Sequence, residues 1–171
     1  MTMVESKFIS QFNLIFFKGR ITDVLPVSVD SNTGSIYEQD ILFQLENGIT
    51  IPLSDNDLAC NKKDIGQEIK IQMINGFRTS IEMCSNDNLE IGIFPNPINP
   101  EFSPTLRGTI EKIIESSEEK YKSFMRYATL DVGIGKILII IHKDHKEDFS
   151  IFHEGDCVVI KGGRLDLLKV I

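Results

Sequence analysis

Three histidines, His142, His145 and His153, fall within a dozen residues, with Asp144, Glu147, Asp148 and Asp156 among them. Imidazole nitrogens and carboxylates ligate zinc or iron, and His-x-x-His with a third histidine is a pattern that could do so. A metal-dependent enzyme built on these three residues is therefore one reading. A working centre needs ligands that converge from a rigid frame. Here they share one polar connection, and the matching connection in the first half, Ser54–Asp64, has no histidine. A solvated loop is the plainer expectation.

The stretch Tyr121-Lys122-Ser123-Phe124-Met125-Arg126-Tyr127 offers different chemistry. In a strand, Lys122, Phe124 and Arg126 share one face. An aromatic ring between two cations could stack a base and hold its phosphates, which is the logic of single-strand nucleic-acid binding. The competing expectation is a barrel strand with its aromatics inside and its cations in water. The corresponding stretch of the first half, Ile36-Tyr37-Glu38-Gln39-Asp40, is acidic. The two halves therefore should not bind an anionic ligand alike.

Lys161-Gly162-Gly163-Arg164 lacks the strand–loop–helix spacing of a phosphate loop and reads as a hairpin turn. Nucleophile elbows, dinucleotide fingerprints and metalloprotease signatures are missing from the sequence. Catalysis and a bound cofactor are not expected.

The elements that must position these residues begin with composition. The 171 residues are 42% hydrophobic and 25% charged, with 11 Phe and no Trp. That is a globular balance, favouring β-rich packing. The formal net charge is −7, which opposes general binding to phosphate backbones. Residues 1–90 carry 7 Lys or Arg against 13 Asp or Glu, and residues 91–171 carry 11 against 12. An anionic partner should prefer the second half. Cys60, Cys84 and Cys157 are odd in number and form no CxxC pair, so a disulfide framework is not expected and a reducing cytoplasm is the natural location. No apolar run approaches the roughly 18 residues of a membrane span.

The sequence repeats itself. Phe17-Lys18-Gly19-Arg20-Ile21 reads like Leu106-Arg107-Gly108-Thr109-Ile110, and Asp64-Ile65-Gly66 opens a stretch that reads like the one from His153-Glu154-Gly155; both lie at an offset of 89. Gly48 with Gly135 and Gly76 with Gly163 match at 87. The ordered anchors point to an internal duplication. Between the copies, Ser85–Thr105 contains Pro95, Pro97, Pro100 and Pro104. Proline excludes a central strand or helix there. The apolar Ile91, Ile93, Phe94 and Phe102 suggest a linker that packs along a barrel. The division expected is a first barrel over 1–88, a linker over 89–105 and a second barrel over 106–171.

Each copy should hold about five strands in meander order. The first should comprise Ile15–Leu25, Ile36–Glu46, Ile49–Leu53, Glu68–Ile74 and Thr79–Met83, the second Leu106–Ile114, Tyr121–Val132, Lys136–His142, Cys157–Lys161 and Leu165–Ile171. Asn47-Gly48 and Asn75-Gly76 are hairpin signals because type I′ turns need positive φ. Gly19 and Gly108 mark bends inside first strands.

This plan of a glycine-bent first strand, hairpin, polar connection and Gly-Asp-x-Val opening the fourth strand (Gly155-Asp156-Cys157-Val158) resembles the oligonucleotide/oligosaccharide-binding (OB) fold and the small barrels appended to transport ATPases. The resemblance covers each copy in outline and implies an all-β protein of two tandem five-stranded barrels. A short connection before the fourth strand leaves an SH3-like barrel as the alternative. In OB folds the Lys122–Arg126 region lies on the usual binding face. The function expected is a non-enzymatic adaptor with a protein partner. Single-stranded nucleic acid bound by Lys122, Phe124 and Arg126 is the alternative, and the histidine-based enzyme is the third reading.

Overall fold

The computed structural model describes residues 16–76, 80–84, 90–99, 103–115, 125–142 and 151–171. They form one sheet of eleven strands: β1 (Phe17–Val29), β2 (Ile36–Leu45), β3 (Thr50–Asp55), β4 (Glu68–Asn75), β5 (Ser80–Met83), β6 (Gly92–Phe94), β7 (Thr105–Glu115), β8 (Met125–Asp131), β9 (Lys136–His142), β10 (Cys157–Lys161) and β11 (Leu165–Val170). A 3₁₀ turn at Lys62–Asp64 is capped by Asn61, whose side chain accepts from the Lys63 amide while Asp64 reaches back to the Asn61 amide. The protein is all-β and its sheet is barrel-like, as the OB-like resemblance implies.

Strand pairing traces a closed ring. β1 pairs β2, β2 pairs β3, β3 runs parallel to β11, and β11 and β1 both pair β4. Closure removes the exposed strand edges that an open sheet would leave. A second arc runs β9, β8, β7, β10, β5, with the last two residues of β4 parallel to β9.

The ring and the arc share one register. Phe17 to Arg20 pair Ile71 to Glu68, and Leu106 to Thr109 pair Ile160 to Cys157; every partner is displaced by 89. Both first strands slip register at matching places, between Ile21 and Asp23 and between Ile110 and Lys112. A Cβ on Gly19 would lie 2.1 Å from the carbonyl oxygen of Gln44, and one on Gly108 would lie 2.3 Å from that of Asp131. Glycine is needed there because neighbouring backbone fills the space. Gly66 and Gly155 share φ of 86° and 94°, and their amides donate to the carbonyls of Ile21 and Ile110. The other two anchor pairs do not share a conformation: φ is positive at Gly48 and Gly163 but not at Gly135 or Gly76.

The expected meander fails at two steps in each copy. β3 does not pair β4 and β9 does not pair β10; β4 and β10 pair the first strands β1 and β7 instead. Asn75-Gly76 does not turn β5 back onto β4, and Gly162-Gly163 does not turn β11 back onto β10. Instead β11 enters the first ring between β3 and β4, while β5 joins β10. The exchange keeps the same register: Ile71 pairs Val170, and Ile160 pairs Ile81. Strand pairing therefore crosses the expected division at 88 and 106. Turn-forming dipeptides set local chain direction, whereas the edge a strand occupies is decided by distant partners.

The linker also does more than pack. Its residues Gly92–Phe94 form an edge strand on β7, with Ile93 buried. The core is continuous across both halves, running from Phe17 and Phe43 to Leu130, Ile139 and Ile160. Phe17 itself lies where a Cβ on Gly135 would be, 2.5 Å from its ring.

Candidate functional site

Of the residues singled out for nucleic-acid binding, Lys122 and Phe124 lie outside the described residues. Arg126 is half-buried on β8, opposite Glu115 of β7 and Ile141 of β9. Of the histidines, His145 lies outside the described residues and His142 ends β9. His153 is exposed beside Asp156, whose carboxylate accepts from the His153 amide at 2.6 Å and lies 3.6 Å from its Nδ1. That is a tight turn preceding β10. Among the described residues, no group of three His, Cys, Asp or Glu side chains converges as metal ligands would.

The cations of Lys161-Gly162-Gly163-Arg164 are paired within the protein. Lys161 bridges to Glu82 at 3.0 Å, and Arg164 contacts Asp166 and Glu38. Burial pushes the Asp166 carboxyl above its ordinary range despite the Arg164 guanidinium beside it.

The cysteines correct an expectation. Cys84 and Cys157 form a disulfide across β5 and β10, with Cα atoms 5.4 Å apart. Their separation of 73 residues leaves no local spacing signal. Cys60 is the remaining thiol. It is buried, and desolvation, then Asp55 and Asp64, push its pKa up to about 12.

The polar interior is concentrated at the end of β3. Asp55 is 1% exposed. Its carboxylate accepts from the amides of Ala59 and Cys60 at 2.8 and 2.9 Å and from Gln39 Nε2 at 2.8 Å, and the same Nε2 reaches the Cys60 carbonyl. Each of these donors has its acceptor, so the cluster is a staple for the connection to β4.

A surface cleft lies elsewhere. It encloses about 760 Å³ over β1, the β2–β3 hairpin and the start of β4, bordered by Lys18, Arg20, Gln44, Glu46, Glu68 and Lys70. Register explains its charge. Lys18 lies directly opposite Lys70, and Arg20 opposite Glu68. Directly opposed residues of an antiparallel pair share a face, as do Lys18 and Arg20 two apart. Arg20 bridges Glu68 at 3.6 Å. Lys18 and Lys70 have no carboxylate within ion-pair distance among the described residues. Like charges directly opposite one another are unfavourable.

The second half does not repeat this cleft. Arg107 replaces Lys18 and Val159 replaces Lys70. The Arg107 guanidinium lies 4.9 Å from the centre of the Phe94 ring and donates to the Glu90 carbonyl at 3.0 Å, both from the linker. The opposed cations are therefore in the more acidic half. Averages over half a chain do not report which side chains a ladder brings together.

A second surface feature is the far end of the β1–β2 hairpin. Val27, Val29 and Tyr37 are 56%, 50% and 62% exposed, and Val29 pairs Ile36 across the ladder. Asp30 holds the turn, accepting from the amides of Asn32 and Thr33 and, at 3.4 Å, from the Tyr37 hydroxyl. These hydrogen bonds, led by the Thr33 amide, hold its carboxyl below the usual carboxylate range.

The site and fold define an all-β barrel-like protein with a polar, cation-bearing cleft. No protein-family model matches the chain, and no curated protein matches it. Among solved structures it is similar to the cytoplasmic molybdate-binding protein ModG with molybdate bound, at 15% identity and a TM-score of 0.43, over 92% of this chain and 93% of that one. No helix among the described residues is long and apolar enough to cross a membrane.

Proposed function

We propose that the chain is a duplicated pair of OB-like barrels that exchange their last strands, and that it works as a non-enzymatic binding protein for a small polyvalent anion. The observation that supports this most is the opposed pair Lys18 and Lys70 in the cleft. An anion between the two ammonium groups turns a repulsive cross-strand pair into two charge-assisted contacts. Arg20 is already partnered by Glu68 and is free to shift only by giving up that bridge. Glu46 on the hairpin rim repels anions of any charge, so a ligand must engage both lysines to outweigh it. Calorimetric titration with phosphate, sulfate, molybdate and chloride tests the reading. Binding of one or more divalent oxyanions, lost in Lys18→Ala and Lys70→Ala and weakened by added salt, supports it. Equal, negligible heats for all four sink it.

A second reading keeps the adaptor role. The exposed Val27, Val29, Ile36 and Tyr37 form an apolar hairpin end of the kind that docks on another protein. A double variant Val29→Lys, Tyr37→Lys should then lose a partner that the wild type retains, with the cleft unaffected.

A further inference from the structure

We infer that Cys84 and Cys157 form a thiol–disulfide latch that fastens the exchanged strand β5 to β10. The backbone, and not only the sulfurs, brings the two together. The Cys84 amide donates to the Cys157 carbonyl at 2.9 Å, continuing the ladder from Met83 opposite Val158. A Cα separation of 5.4 Å lies in the range that a disulfide spans.

The latch sits where the exchange is thinnest. β11 is six residues long and is paired on both sides, by β3 and β4. β5 has four residues and, among the described residues, a ladder only to β10. Its other fastenings are the Lys161–Glu82 bridge and a hydrogen bond from Ser80 to the Lys161 carbonyl, both on the exposed surface. Exposed contacts of this kind contribute little. The position matching Cys157 in the first half is Glu68, so the fastening is confined to one of the two exchanged strands.

Access and selectivity fit a switch. Cys84 and Cys157 are both half-buried, within reach of a small thiol. Cys60 does not compete, because exchange needs thiolate and its buried thiol yields almost none at neutral pH. Closing the latch joins the two sulfurs and passes two electrons and two protons to an oxidant such as a glutathione disulfide, which leaves as two thiols. Opening it takes two electrons and two protons from a dithiol, which leaves as its own disulfide. The open form leaves β5 held by four ladder pairs, and its loss would bare an edge of β10 to another strand.

The test compares the full chain after oxidation by glutathione disulfide with the same sample reduced by dithiothreitol. Peptide mapping should recover Cys84 linked to Cys157 in the first sample. Hydrogen exchange over β5 should rise about tenfold or more on reduction, with β11 unchanged. Cys84→Ser should exchange rapidly under both conditions. Should that variant not fold, the two wild-type samples alone decide. Equal exchange over β5 in both redox states overturns the inference, as does alkylation of both Cys84 and Cys157 after oxidation.

Discussion

The Gly76 amide donates to the Arg164 carbonyl at 2.6 Å. These residues lie where the chain leaves β4 and where it enters β11, so two segments far apart in sequence pass each other in contact. Leu165 pairs Asn75 at the same place, and a Cβ on Gly76 would lie 2.9 Å from an Asp166 carboxylate oxygen. This crossing ties the two halves into one sheet and gives each the other's last strand.

The exchange has a direct spectroscopic signature. Nuclear Overhauser contacts should connect Ile71 with Val170 and Ile81 with Ile160. Simple hairpins would instead bring β4 against β5 and β10 against β11. A spectrum with the hairpin contacts and without the crossed ones would refute the exchange.

Gly19→Ala and Gly108→Ala should each destabilise the protein by about 2 kcal/mol, read from the midpoint of urea unfolding. The added methyl meets a backbone carbonyl, which cannot rotate away as a side chain can. Gly48→Ala meets no atom within 4 Å and carries only the cost of its positive φ, so it should be the milder change.

Much of the strand plan was legible in the sequence, since β9 and β10 begin and end where alternation and glycine punctuation put them. Gly19 and Gly108 were legible as irregular points of the first strands, whose register slips shortly after them, but the close approach of neighbouring backbone was not. The exchange was not legible. Asn75-Gly76 and Gly162-Gly163 carry turn chemistry that says nothing of which edge the next strand will take. The Lys18–Lys70 pair was hidden for a related reason: each lysine looks like an ordinary outward residue until the ladder fixes its neighbour. The repeat offset held the one usable hint, since Arg107 and Val159 show that the second half does not conserve that pair of charges. The Cys84–Cys157 pairing likewise depends on β5 lying beside β10.

Asp55→Ala should lower stability by about 2 kcal/mol, since it leaves the buried Cys60 amide without its acceptor and takes one of two acceptors from Gln39 Nε2. Gln39→Leu should cost less, because the Ala59 and Cys60 amides keep their carboxylate. Guanidinium unfolding midpoints of the two variants give the ordering.

Acid should loosen the β1–β2 turn before the ladder. The Asp30 carboxyl is depressed by its hydrogen bonds, so its contribution is present above the unfolded value near 3.8 and is lost as pH falls through the lower folded value. Amide exchange at Asn32 and Thr33 should accelerate below pH 3.8 relative to Ile41 and Phe43. Asp30→Asn should remove the pH dependence of that acceleration.

The cleft reading makes stability and binding move in opposite directions at one residue. Lys70→Glu replaces a repulsive cross-strand pair by an attractive one, worth about 0.5 kcal/mol to the free protein. The decisive measurement is the thermal midpoint of wild type and Lys70→Glu, each with and without a saturating divalent oxyanion. The account predicts that the wild type melts lower without the anion and rises with it through ligand linkage, while the variant starts higher and does not respond. An equal rise in both proteins, or none in the wild type, would contradict an anion site between Lys18 and Lys70.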